Sequence, residues 1–146
     1  MKIPLKKQLK RTTKTAKETA NFAAELLEKF GPGCTWLLSG DLGSGKTIFV
    51  KGLGKALNLN EAKIKSPTFM FRADHGPLAH YDLYRLDKPD ELLFEQINED
   101  ISSGKTVAIE WPEIFVRAHK NFLNGIKVSF THKSAAERQI VLIPPF

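Results

Sequence analysis

Cysteine occurs once in this sequence, as Cys34, so no disulfide can form within the chain, and a lone thiol suits the reducing cytoplasm. Only four histidines accompany it, scattered along the chain, which leaves no material for a zinc cluster. No apolar run approaches the about eighteen residues that a membrane-spanning helix requires. After Met1 and Lys2, polar and basic residues interrupt every stretch that could serve as a secretory leader. Repeats, low-complexity tracts and linker-like stretches are also missing. What remains is 146 residues, 42% of them hydrophobic: enough for one domain over residues 1–146 with a real core, too few for two comfortable ones, and too apolar for a disordered chain.

Acidic residues are in short supply at one end only. Residues 1–20 hold seven basic groups (Lys2, Lys6, Lys7, Lys10, Arg11, Lys14 and Lys17) against Glu18, whereas the other 126 residues carry fifteen charges of each sign. Such a segment could touch a phosphate backbone or an acidic partner. It could equally be an edge strand whose lysines block unwanted pairing, a reading favoured by the lack of aromatics among them.

Periodicity sets out the elements. A short strand over 5–11 precedes a helix from Thr15 to Phe30, with Ala16, Ala20, Ala23, Leu27 and Phe30 at helical spacing, Thr12 or Thr13 as cap and Gly31-Pro32-Gly33 as stop. Cys34 to Leu38 reads as a strand buried on both faces, followed by a glycine-rich turn and a helix over Lys46–Leu57. Strands over Thr68–Ala73 and Leu78–Tyr84 are joined by the turn Asp74-His75-Gly76-Pro77. A third helix begins after Asp87, with Pro89 in its first turn and Asp90 and Glu91 at its positive end, and stops near Ser102-Ser103-Gly104. Thr106–Ile109 is another buried strand. The tail alternates, with Ile126, Val128 and Phe130 on one face, and Arg138–Ile143 returns as its hairpin partner. Helices alternating with buried strands imply an α/β fold whose sheet is mainly parallel and ends in a C-terminal antiparallel hairpin.

Gly40-Asp41-Leu42-Gly43-Ser44-Gly45-Lys46-Thr47 matches G-x-x-x-x-G-K-S/T in full, and it leaves an expected strand to open an expected helix. Chance yields this pattern in roughly one chain per hundred of this length. The spacing has a chemical purpose. Glycines let successive backbone N–H groups turn into one concavity at the positive end of a helix, which favours a polyphosphate. Lys46 can then reach the terminal phosphates and the Thr47 hydroxyl can ligate Mg²⁺.

A triphosphate site also needs carboxylates to hold the ion or poise a water. Asp82 closes the run Leu78–Asp82 and Glu110 closes Val107–Glu110; ligands bind at the carboxyl ends of parallel strands, so both acids could face the phosphates. His80 lies two residues before Asp82, but Mg²⁺ prefers oxygen, so a packed or hydrogen-bonded imidazole is favoured over a metal ligand.

In order along the chain, Gly40–Thr47, Ser66-Pro67-Thr68-Phe69, His80-Tyr81-Asp82-Leu83-Tyr84-Arg85-Leu86 and Glu110-Trp111-Pro112-Glu113 resemble the signatures of the TsaE (YjeE) family, over nearly the whole chain from Thr15 onward. The resemblance implies a small, three-layer P-loop NTPase-like domain and a weak ATPase of tRNA threonylcarbamoyladenosine biosynthesis. It would act with the TsaD and TsaB proteins as a resetting or regulating factor, with tRNA reached through that complex. By match to the family, Gly43, Ser44, Gly45, Lys46, Thr47 and Ile48 would hold the ATP. Thr47 and Glu110 would bind Mg²⁺, Asp82 would support hydrolysis, Ser66–Phe69 (Thr68 included) would form a switch-like loop near the γ-phosphate, and Trp111 would lie at the functional face. Trp111 could also be a core residue beside Pro112, and Arg85 could pair with phosphate or with a neighbouring acid. The chain departs from the family pattern where Ile48 replaces a second threonine, where Ala16 stands for an acidic residue, in lacking a glycine over Asn21–Ala24, and in a short segment before His80.

Two other functions fit a phosphate loop: a small kinase of a metabolite, or a nucleotide-dependent binding module without useful turnover. The chain offers little room for a lid and no arginine cluster for a second anion, which counts against the kinase; Ile48 is mild support for the binding module.

Overall fold

The structure is a computed structural model that describes residues 8–67, 70–118 and 124–144. Among the described residues, seven strands form one sheet in the order β1-β7-β6-β2-β5-β4-β3. The elements are β1 (Leu9–Thr13), α1 (Ala16–Phe30), β2 (Thr35–Gly40), α2 (Lys46–Ala56), a 3₁₀ turn (Glu61–Lys63), β3 (Arg72–Asp74), β4 (Leu78–Asp82), α3 (Glu91–Ser102), β5 (Thr106–Glu110), α4 (Glu113–Ala118), β6 (Ile126–His132) and β7 (Arg138–Ile143). The four central strands, β6, β2, β5 and β4, run parallel. Antiparallel partners finish both sides: β7 and then β1 beyond β6, and β3 beyond β4.

Alternation along the buried strands sends side chains to two helical layers. Trp36, Leu38, Leu78, Ala108, Val128 and Phe130 pack with Phe22, Ala23, Leu26 and Leu27 of α1 and with Phe49, Val50 and Leu53 of α2. Leu37, Ala79, Tyr81, Val107 and Ile109 face the other way, onto Ile97 of α3 and Phe115 of α4. This gives the expected three-layer α/β arrangement, with the C-terminal hairpin as one flank of the sheet.

The helix pair α1–α2 depends on one small residue. A Cβ on Gly52 would lie 2.1 Å from the Ala20 carbonyl oxygen, so only glycine allows this approach. Glycine costs about 1 kcal/mol in a helix interior, and the close packing offsets it.

Several boundaries differ from the sequence reading. β1 extends to Thr13, whose hydroxyl bonds that of Thr19 at 2.7 Å. The cap of α1 is therefore not Thr12 or Thr13 but Thr15, whose Oγ accepts from the Glu18 N–H at 3.0 Å. The strand expected over Thr68–Ala73 shrinks to Arg72–Asp74: Phe71 has φ 58°, which breaks an extended run, while Thr68 and Phe69 lie outside the described residues. β4 stops at Asp82 because its carboxylate accepts the Tyr84 N–H at 3.0 Å and turns the chain. Asp90 caps α3 through the Leu92 and Leu93 N–H groups, so Pro89 precedes the helix and does not sit in its first turn. Helix α4 had no counterpart in the sequence reading.

A buried ionic cluster ties β3 and β4 to α3. Arg72 donates to both carboxylate oxygens of Asp100, at 2.9 and 2.8 Å, and the Tyr81 hydroxyl donates to the same group at 2.5 Å. Burial pushes the Asp100 carboxyl up, but the hydrogen bonds from Arg72 and Tyr81 outweigh it and hold it below the ordinary value.

Candidate functional site

The loop from Gly40 to Gly45 leaves the end of β2 and opens α2. Gly43 and Gly45 have φ of 73° and 107°, conformations that glycine adopts at little cost. Gly40 is needed for another reason, since a Cβ there would come within 2.8 Å of the Phe130 carbonyl oxygen on β6. Gly45 is the N-cap of α2 with no side-chain cap. The first N–H groups of the helix have no intrahelical acceptor, which leaves them, with the helix dipole, as a ready anion cradle.

Lys46 folds back over this loop. Its Nζ donates to the carbonyl oxygens of Gly40 at 2.6 Å and Asp41 at 2.7 Å and to the Ser44 hydroxyl at 3.3 Å. It also lies 4.4 Å from the centre of the Trp111 ring. Burial lowers the Lys46 pKa, against opposing pulls from Glu110, Asp82, Glu113 and Asp41.

Register brings the two acids together. Asp82 and Glu110 are Cα partners across β4 and β5, and Glu110 pairs with Leu38 of β2, two residues before Gly40. Glu110 is 3% exposed. The Thr47 hydroxyl donates to its carboxylate, 3.1 Å from Oε1 and 2.9 Å from Oε2, and His80 Nε2 lies 2.6 Å from Oε2. Asp82 accepts from the Ser66 hydroxyl and from the Tyr84 N–H.

Lys46, Thr47, Ser66, Asp82 and Glu110 line a cavity of about 360 Å³, which also takes in Leu42, Gly43, Ile48 and Trp111. Trp111 is half-buried, has φ 59°, and packs its ring 4.9 Å from that of Tyr84. It is thus part of the cavity wall and not simply a core residue. Arg85 is exposed and does not line the cavity, and Thr68 lies outside the described residues.

Among the cavity residues that escaped the sequence reading as site candidates are Lys14, Ala136 and Arg138. Arg138 Nη2 donates to the Gly43 carbonyl at 3.3 Å. No local pattern marks them; the first lies in the β1–α1 connection, the others at the β6–β7 turn, and only the strand order brings both beside the loop.

Among the described residues no cluster of three or more His, Cys, Asp or Glu could hold an ion. The residues that could hold one are instead Thr47 and Glu110, a hydroxyl and a carboxylate already in contact. That suits Mg²⁺, which usually takes one or two protein oxygens and completes its shell with phosphates and water.

The family model "Threonylcarbamoyl adenosine biosynthesis protein TsaE" matches residues 13–140. The chain belongs to the TsaE family. Its sequence is 38% identical over 136 residues to the tRNA threonylcarbamoyladenosine biosynthesis protein TsaE of Nostoc sp., covering 86% of this chain and 80% of that one. The TsaE protein of Rickettsia typhi is 36% identical over 107 residues, covering 70% of this chain and 74% of the relative. Among solved structures, the crystal structure of Bacillus subtilis YdiB superposes with a TM-score of 0.68 at 26% identity, over 93% of this chain and 84% of YdiB. Membership of the TsaE family connects the chain with tRNA threonylcarbamoyladenosine biosynthesis, and the YdiB likeness supports the P-loop-like fold.

Proposed function

We propose that this chain is a single-domain, slow ATPase of the cytoplasm. It binds ATP with Mg²⁺ on the loop at residues 40–47, and its nucleotide state resets or regulates the TsaD–TsaB complex that modifies tRNA next to the anticodon. The observation that carries this reading is the Thr47–Glu110 contact, 2.9 to 3.1 Å, at the mouth of a complete phosphate loop. A hydroxyl, a carboxylate and Lys46 converging there suit a metal–phosphate site.

In this reading the backbone of Gly43, Ser44 and Gly45 and the first turn of α2 receive the phosphates. Lys46 exchanges its loop carbonyls for phosphate oxygens and neutralises charge that develops as the γ-phosphoryl group leaves. Thr47 and Glu110 would hold Mg²⁺, which would supply charge neutralisation to the phosphates. Asp82, fixed by Ser66 and the Tyr84 N–H, orients the attacking water and takes its proton. The water oxygen bonds to the γ-phosphorus, the bond from that phosphorus to the β–γ bridging oxygen breaks, and ADP and phosphate result. Thr68 belongs to the loop that would respond to the γ-phosphate. Trp111 closes one wall of the nucleotide pocket, and Ile48 contributes its N–H in place of a hydroxyl.

Free phosphate released from ATP and Mg²⁺ without any acceptor, and faster with TsaD and TsaB present, is the expected result. Multiple-turnover tRNA modification in a reconstituted system should then depend on this chain. Phosphate appearing on a metabolite would instead identify a kinase, and tight ATP binding without phosphate release a binding module; either would overturn the proposal.

A further inference from the structure

His80 is fully buried in the middle of β4, on the same face as Leu78, where an aliphatic side chain would pack at no polar cost. Its in-register neighbours on both adjacent strands are alanines, Ala73 and Ala108, which leave space for a ring. Nε2 lies 2.6 Å from Glu110 Oε2, and Nδ1 has no hydrogen-bond partner among the described residues. Carboxylate oxygens accept hydrogen bonds, so a ring hydrogen on Nε2 suits this contact. It leaves a lone pair at Nδ1, cheaper to bury unpaired than an N–H.

The contact also distinguishes the two carboxylate oxygens. Oε2 meets both His80 and the Thr47 hydroxyl, whereas Oε1 meets only Thr47 among the described residues. The imidazole pins one oxygen and leaves the other with more free lone-pair capacity. A ligand carboxylate that is 3% exposed cannot rely on solvent for orientation and must be held by protein groups.

We propose that His80 is a positioning residue: it donates from Nε2 to Glu110 and holds that carboxylate in the orientation that takes a divalent ion beside Thr47. The proposal rests on the nucleotide reading of the site and adds to it a residue with no contact to nucleotide or ion.

The test is Mn²⁺ titration of the full chain saturated with a nonhydrolysable ATP analogue, read by electron paramagnetic resonance. Losing a group that orients a metal ligand typically costs tenfold or more, so His80→Leu should weaken Mn²⁺ binding about tenfold while metal-free analogue affinity changes less than about twofold. His80→Gln places an amide N–H near the position of Nε2 and should restore Mn²⁺ affinity to within about threefold. Wild-type Mn²⁺ affinity in His80→Leu, or a Gln variant as weak as Leu, overturns the proposal. Independently of variant folding, ¹⁵N NMR of the wild-type chain should find His80 protonated on Nε2; protonation on Nδ1 alone overturns it too. A wild-type chain that binds no analogue overturns the nucleotide reading, and this proposal with it.

Discussion

Lys46 does two jobs with one ammonium group. It satisfies the Gly40 and Asp41 carbonyls, and it stands where a polyphosphate would place negative charge. A hydrogen bond from a charged group is worth about 1.5–3 kcal/mol, so Lys46→Ala should weaken ATP binding about 10- to 100-fold in an equilibrium titration. Unchanged affinity would remove the loop from the nucleotide site. Asp82 has a different task, because its partners are Ser66 and the Tyr84 N–H and not the loop. Asp82→Asn should leave ATP affinity within about twofold and slow phosphate release about 10²-fold or more, the usual contribution of a positioned base. Phosphate release at the wild-type rate would remove Asp82 from the chemistry. Both residues could be singled out from sequence, Lys46 by a motif with fixed internal spacing and Asp82 by its place at the end of an apolar run. Arg138 could not, because its neighbour in space, Gly43, is 95 positions away.

Between elements, packing and buried charge decide where the site residues stand. Gly52→Ala would push a methyl group against the Ala20 carbonyl and pry α1 from α2; overpacking of this kind costs about 1–3 kcal/mol, measurable by urea denaturation. A stability equal to wild type would mean that the helix pair has slack. The Asp100 cluster has a pH signature. Its carboxyl pKa is held below the ordinary 3.8, so its stabilisation is present above pH 3.8 and drains away as the pH falls through the folded-state value. Asp100→Asn should cost about 3 kcal/mol at neutral pH, because Arg72 loses its buried partner. It should also flatten the acid limb of the stability curve; an acid limb parallel to wild type would contradict the assignment. Most elements were legible in the sequence from periodicity and caps, since those signals are local. The bounds of the short strand β3 were not, because the positive φ at Phe71 leaves no mark in composition. Helix α4 is only six residues long, too short for its periodicity to stand out.

Across the whole molecule, the strand order explains why distant segments meet. The C-terminal hairpin adds β6 beside β2, and β1 closes the far edge against β7, so Lys10 and Arg11 sit in an edge strand, as the milder reading of the basic N-terminus expected. The same hairpin carries Arg138 to the phosphate loop. Arg138→Ala should therefore weaken ATP binding about tenfold without changing the fold, as read by titration and circular dichroism; wild-type affinity would confine Arg138 to a structural role. The sequence by itself determined the phosphate loop, the α/β alternation and the acids at strand ends, because each depends on residues close together in the chain. Tertiary structure alone decided which carboxylate meets Thr47, that His80 lies behind it, and that Lys14 and Arg138 complete the cavity. Those contacts follow from strand order and register, which arise from global packing and which no local window of residues encodes.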